Sequence, residues 1–265
     1  MAHPLICSIT TEQTATSTSD LAKQAAAKGA PSGTGFLAIE QTAGRGRRGR
    51  QWLSQKGGMY LSVVLRPTVK KKYWFALSFA ASLAALDTVR HQLARHFDDK
   101  HMPQTGLKWP NDVFMSGGKI AGILLEAVGP TLVVGSGINI APVQAPAHQG
   151  INHEVSDHQA VEPVALADIW PQTAGNLPTP HELASCFMTR LVHWYGKFEQ
   201  SGFSPIRDEW LGNALFLGKA LSVWNGTKKI SGVFHDLGMD GALLLLDDSG
   251  HTHHITTGDV QLLDS

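Results

Sequence analysis

The chain predicts an α+β fold ending in a small β-barrel, and three observations carry that prediction. Strand-like apolar runs cluster around residues 36–65 and 107–140, while helical periodicity marks residues 79–97 and 180–212. Between the first two strands lies a glycine–arginine loop, QTAGRGRRGRQW, residues 41–52. After residue 212 the texture changes to short strands with turn residues, ALSVW, KKISGVF, ALLLLD, HTHHITT and VQLL, within 53 residues, which suggests a small barrel. At 265 residues and 43% hydrophobic composition, the chain can bury one large core and a smaller one. The expected division is residues 1–212 and 213–265.

The opening MAHPLICSITTEQ has no basic segment and only a short apolar run, so neither a signal peptide nor an anchor is expected. No stretch approaches the ~20 apolar residues of a membrane span, and a cytoplasmic protein is the expectation. Cys7 and Cys186 are far apart, with no metal or redox spacing, and are expected as buried free thiols. Strands follow at about 36–40 and at 59–65, MYLSVVL. In FAASLAALDTVRHQLARHF, Phe79, Leu83, Leu86, Leu93 and Phe97 share a helix face. Short strands are read at LKW and DVFM, then IAGILLEAV after the turn SGG, then TLVVGSGINI. Residues 141–178 read as a long connection, with VALADIW as a helical turn. Pro180 suits a first helical turn, and Leu183, Phe187, Leu191, Trp194 and Phe198 form one face over about 180–200, before a short helix at about 203–212.

Charge is distributed unevenly. The 22 basic and 22 acidic side chains cancel, which argues against a surface devoted to nucleic acid or acidic membrane. Yet Gln41 to Leu86 contains five arginines, four lysines and no acid. Such a run usually marks a solvated face. Here Gly44, Gly46 and Gly49 free the backbone to turn and approach a ligand closely, which favours a local anion-binding loop. Three other stretches stand out. In KWPNDVF, Pro110 biases Trp109 to an extended conformation and Asn111 and Asp112 follow at a turn. In GGKIAGILLE, two-residue periodicity places Lys119 on one face with Ala121, Ile123 and Leu125. In GSGINI, glycines within a strand signal either a close approach to the backbone or a β-bulge. His251, His253 and His254 lack further ligands at zinc spacing and read as solvated strand histidines.

Taken together, TSTSD (16–20), QTAGRGRRGRQW, KWPNDV, GGKIAGILLE and GINI resemble the biotin protein ligases, also called biotin–[acetyl-CoA-carboxylase] ligases. The resemblance runs from about Ser17 to the C-terminus. It implies a class II aminoacyl-tRNA synthetase-like mixed sheet with helices, plus a small SH3-like C-terminal β-barrel. It also implies the reaction: biotin and ATP form biotinyl-5′-adenylate and pyrophosphate, and biotin then passes to one lysine of a biotin carboxyl carrier protein. Attack of a carboxylate on an α-phosphate brings two anions together, so the site must supply positive charge. Arginine forks suit that task, and no general base is needed because the carboxylate is already ionised.

Residue by residue, the resemblance assigns Ser17, Thr18, Ser19 and Gln41 to biotin, with Arg45, Gly46, Arg47, Lys119 and Gly122. It places Arg47, Arg50, Trp52, Lys108, Asn111, Asp112 and Asn139 at the nucleotide. Lys119 and Arg47 are the catalytic candidates, Trp52 a cover over the ligand, and Mg²⁺ is expected near Asp112. The face of Ala121, Ile123 and Leu125 is expected to receive the aliphatic chain and ring. Ser19 stands where many members carry Asn, and Thr42 where some carry Gln. Only a short lead-in precedes Thr16, so DNA binding through an N-terminal helix-turn-helix is not expected. Lipoate ligases share the fold and chemistry, but KWPND and GRGRRG favour biotin. Dimerisation through a sheet edge fits the fold, with no motif that demands it.

Overall fold

The computed structural model describes residues 7–142, 162–224 and 228–263. The chain opens with β1 (Ser8–Ala15), α1 (Thr18–Ala27) and β2 (Thr34–Gln41), a βαβ unit whose strands pair in parallel. After the arginine loop come β3 (Gly58–Leu65), α2 (Ala76–Leu93), β4 (Thr105–Lys108), β5 (Asp112–Met115), β6 (Gly118–Val128) and β7 (Thr131–Asn139). These strands form one seven-stranded mixed sheet in the order β1-β2-β3-β7-β6-β5-β4. Two helices follow, α3 (Pro180–Ser201) and α4 (Ser204–Gly212). The last part is β8 (Ala220–Trp224), β9 (Lys229–Leu237), β10 (Leu243–Leu246), β11 (Thr252–Ile255) and β12 (Asp259–Leu262).

The sheet is covered on both sides, which explains why β3 is buried at every position. Met59, Leu61, Val63 and Leu65 join the main core with α2 and α3, whereas Val64 packs with Ala22 and Ala26 of α1. Helix α2 is buried around most of its circumference because it lies between the sheet and α3 and α4; its many alanines permit that close packing. Helix α3 begins with a capping box, Thr179 with Glu182, has Pro180 in its first turn and ends at Gly202 with φ +72°. The expected long connection falls mostly outside the described residues; its described end contains a 3₁₀ turn, Leu166–Asp168. Cys186 is half-buried, but Cys7 is exposed at the chain's edge, contrary to the expectation of a buried thiol.

The five C-terminal strands form an antiparallel sheet in the order β11-β10-β9-β8-β12. Among the described residues no ladder joins β11 to β12, so the strands expected in a barrel form an open hydrogen-bonded sheet. This sheet is fastened to the rest. The Trp109 indole donates to the Gly241 carbonyl at 3.0 Å, and Arg207 Nε donates to the Leu237 carbonyl at 2.7 Å. Its apolar residues belong to the same continuous core as α2 and α4.

Trp210 is the keystone on α4. It is 0% exposed, its indole N–H donates to Ser82 Oγ at 3.1 Å, and its ring meets Phe79 edge-on at 5.4 Å. Replacing Trp210 by Ala is expected to cost about 3–5 kcal/mol, the range for deleting a buried aromatic ring. Chemical denaturation checks this; a loss under about 1 kcal/mol would mean that the neighbours collapse into the space.

Candidate active site

A cleft opens on the α1 side of the sheet, between the start of α1, the arginine loop and strands β3, β6 and β7. Its lining contains Ser17, Thr18, Ser19, Gln41, Arg45, Gly46, Trp52, Asn111, Lys119 and Gly122, ten positions singled out in the sequence. Ser17 takes the N-cap position of α1 without its hydroxyl capping the helix. Gln41 does that work instead: Oε1 accepts from the Thr18 amide at 2.8 Å and hydroxyl at 3.2 Å, and Nε2 donates to Ser54 Oγ at 2.8 Å. One side chain thus joins the helix start to the loop.

Lys119 reaches the cleft through a β-bulge. Phe114 of β5 pairs with Lys119 and Val113 pairs with Ala121, so Ile120 is an inserted residue on β6. The insertion reverses the facing expected from strict alternation. Lys119 lies on the side of Gly122, where an added Cβ would stand 3.3 Å from Nζ. Ala121 and Ile123 are buried in the main core and Leu125 packs against it, so this face is not the lining expected for the aliphatic chain. Only Ile123 also borders the cleft, beside Gly122 and Leu124. The bulge leaves the Lys119 amide to donate to the Glu162 carbonyl at 3.1 Å.

The cations are held by partners. Lys119 Nζ lies 2.7 Å from Asp112 Oδ1 and 5.2 Å from the centre of the Trp52 ring. Arg47 donates to Asn111 Oδ1 at 3.0 Å, and Asn111 in turn donates to the Ile123 carbonyl. Burial pulls the Arg47 guanidinium below its usual pKa, with Asp112 opposing the shift. Arg45 grips Asp20 through two hydrogen bonds of 2.9 and 2.6 Å. Tyr60 also lines the cleft; burial, with Glu40 adding, pushes its phenol up to about 12, so it stays neutral.

Trp52 lies on a glycine shelf. Gly122 and Gly137 are direct partners across β6 and β7, and a Cβ on Gly137 would stand 2.6 Å from the indole nitrogen. Of the two readings left open for GSGINI, close approach is therefore the one realised, since β7 keeps its register throughout. The Trp52 N–H and Ser136 Oγ are buried without a hydrogen-bond partner. Both border the cleft, where a polar ligand would satisfy them.

Other sequence candidates lie outside the lining. Arg50, largely exposed, and Arg48 both bond Asp259 on β12, and Arg48 also donates to Thr257 at 2.8 Å. Lys108 sits 5.2 Å from the Phe114 ring centre, its pKa lowered first by burial. Asn139 is buried and donates to the Val164 carbonyl at 3.0 Å, tying down the segment that returns to Lys119. The C-terminal histidines pair separately: His253 with Asp247 at 2.7 Å and His254 with Asp240 at 3.2 Å. Sequence reasoning missed Asp20, Tyr60, Ser62, Glu126 and Ser136. Glu126 accepts from both Ser19 and Lys23, a pairing no local pattern announces.

A family model described as the biotin/lipoate A/B protein ligase family matches residues 9–140. The chain is 36% identical over 220 residues to a biotin–[acetyl-CoA-carboxylase] ligase of Paracoccus denitrificans, covering 81% of this chain and 84% of the relative. It is 33% identical over 257 residues to the Mycobacterium tuberculosis ligase of the same name, covering 94% and 86%. The Aquifex aeolicus biotin protein ligase, solved in complex with biotin and ATP, superposes with a TM-score of 0.75 at 27% identity over 97% of this chain and 99% of that one. The likeness extends through both sheets, and with these identities over most of each chain, the protein belongs to the biotin–[acetyl-CoA-carboxylase] ligases of the biotin/lipoate A/B protein ligase family.

Proposed function

We propose that the cleft activates biotin with ATP and then delivers it to a lysine of a biotin carboxyl carrier protein. The observation that carries this reading is that Lys119, Arg45 and Asn111, the last of them bound by Arg47, line one cleft together with the Gly122–Gly137 shelf. In the first step a carboxylate oxygen of biotin attacks the α-phosphorus, the bond to the pyrophosphate oxygen breaks, and a mixed anhydride forms. Charge builds on oxygens at that moment, and fixed cations in a half-buried site stabilise it more than water would. In the second step the carrier amine attacks the anhydride carbonyl, an amide forms and AMP leaves. Mg²⁺ would enter with the triphosphate and neutralise part of its charge; one carboxylate, Asp112, suits an ion that keeps most of its ligands from phosphate and water.

We further assign adenylation to residues 1–212 and a supporting role to residues 213–265. Arg48 has φ +56°, a conformation that costs a non-glycine residue about 1 kcal/mol or more. Its bonds to Thr257 and Asp259 support that turn from the C-terminal sheet. Because the apolar core is continuous across both parts, substitutions at this contact are better probes than deletion of the sheet. No helix among the described residues is long and apolar enough to cross a membrane. The free thiols suit a reducing compartment, and we place the protein in the cytoplasm.

Mass spectrometry of an apo carrier protein incubated with this chain, ATP, Mg²⁺ and biotin tests the reading. One biotinyl group on one lysine is expected; an unchanged carrier mass, with the protein folded, would refute transfer. The shelf provides a second test. Gly137→Val would push the indole off its seat, and biotin is expected to bind about tenfold more weakly or worse, the scale of a methyl-sized misfit in a pocket. Calorimetry showing unchanged affinity would mean that Trp52 does not border the ligand.

A further inference from the structure

The two cleft cations that carry acid partners share one arrangement: Lys119 and Arg45 line the cleft, while Asp112 and Asp20 do not. Asp20 thus holds Arg45 from outside the set of residues that line the cleft. Arg45 itself lies between Gly44 and Gly46, and its side chain is 34% exposed. An arginine so placed loses much rotamer entropy when it is fixed, unless another group fixes it beforehand. Asp20 is suited to that task because its own platform is rigid. Its neighbours on the first turn of α1 are pinned: Thr18 to Gln41 and Ser62, Ser19 to Glu126, with Lys23 one turn on also bound to Glu126.

We propose that Asp20 is a positioning residue for the acidic group of the small substrate, aiming Arg45 into the cleft; this rests on the ligase reading above. The fork uses one hydrogen from each terminal nitrogen of Arg45, which leaves the Nε–H and a second hydrogen on each terminal nitrogen to meet a carboxylate or phosphoryl oxygen. The ligand does not have to evict the aspartate. The hydrogen bonds from Arg45 also hold the Asp20 carboxyl below the usual carboxylate range, so the anchor stays ionised at neutral pH.

The test is calorimetric titration of biotin, and separately of ATP, into the wild-type chain, Asp20→Ala, Asp20→Glu, Arg45→Ala and the Asp20→Ala/Arg45→Ala double variant. Asp20→Ala is expected to weaken biotin about tenfold, within the range for a misplaced binding group, while ATP affinity hardly changes. Its thermal midpoint should move little, because a partly exposed ion pair adds only ~0–1 kcal/mol to stability. Asp20→Glu should recover part of the affinity, and Asp20→Ala should add nothing in the Arg45→Ala background. Unchanged biotin affinity in Asp20→Ala, or additive losses in the double variant, would overturn the inference. Tighter binding would overturn it too, by making Asp20 a competitor of the ligand. If the wild-type chain binds no biotin, the ligase reading falls and this inference with it.

Discussion

Biotin-dependent adenylation is expected to fall about 10²-fold or more when Lys119 is replaced by Ala, the usual cost of removing one donor aimed at developing charge. The side chain sits where the bulge at Ile120 brings it over Gly122, within a salt bridge of Asp112 and beside Trp52. Its removal has two effects with the same sign. It takes a cation from the reacting oxygens, and it leaves Asp112 without its lysine, adding negative charge where two anions must meet. Lys119→Gln separates the contributions, since it retains a donor but no charge. Pyrophosphate release measures the outcome, with circular dichroism as the check on folding. Near-normal release from the Ala variant would remove Lys119 from the chemistry.

The second large effect is expected at Arg47, and it concerns containment of the intermediate. Arg47 joins the loop to the β4–β5 turn through Asn111, and the same turn is bound to β6 through the Asn111 contacts with Ile123. A hydrogen bond from a charged donor is worth about 1.5–3 kcal/mol, which corresponds to roughly tenfold to hundredfold in the escape of a ligand held beneath it. Arg47→Gly also adds backbone freedom to a loop that already has Gly44, Gly46 and Gly49. The variant is therefore expected to release biotinyl-5′-adenylate into solution and to label lysines of a bystander protein. Retained selectivity for the carrier would show that another contact closes the site.

What the sequence revealed, and what it hid, follows from the range of each interaction. Helix α3 was legible because its signals are local: a capping residue, a proline and apolar positions three and four apart. The α2 pattern was legible too, although the helix starts at Ala76 and ends at Leu93, short of the Phe97 expected from periodicity. β1 and α1 escaped notice. SITTEQTA lies at the edge of the sheet with almost every side chain exposed, so it carries no apolar run to reveal it. The facing of Lys119 was reversed because two-residue alternation cannot register an inserted residue, and the bulge is visible only in the pairing with β5.

The candidate site shows the same divide. Ten residues drawn from motifs of unusual composition line one cleft. The acids that hold the cleft and the segments around it, Asp20 for Arg45, Glu126 for Ser19 and Lys23, Asp259 for Arg48 and Arg50, are ordinary acids at separations of 25 to 211 residues. Nothing local distinguishes such an acid from a solvated one. Only the fold brings it to its cation.

The decisive measurement is biotin-dependent exchange of labelled pyrophosphate into ATP by the purified protein, run beside lipoate and octanoate. It reports the reversible first step alone and needs no carrier. Exchange with biotin and none with the other two acids is the predicted result. No exchange by folded protein, or equal exchange with lipoate, would contradict the account.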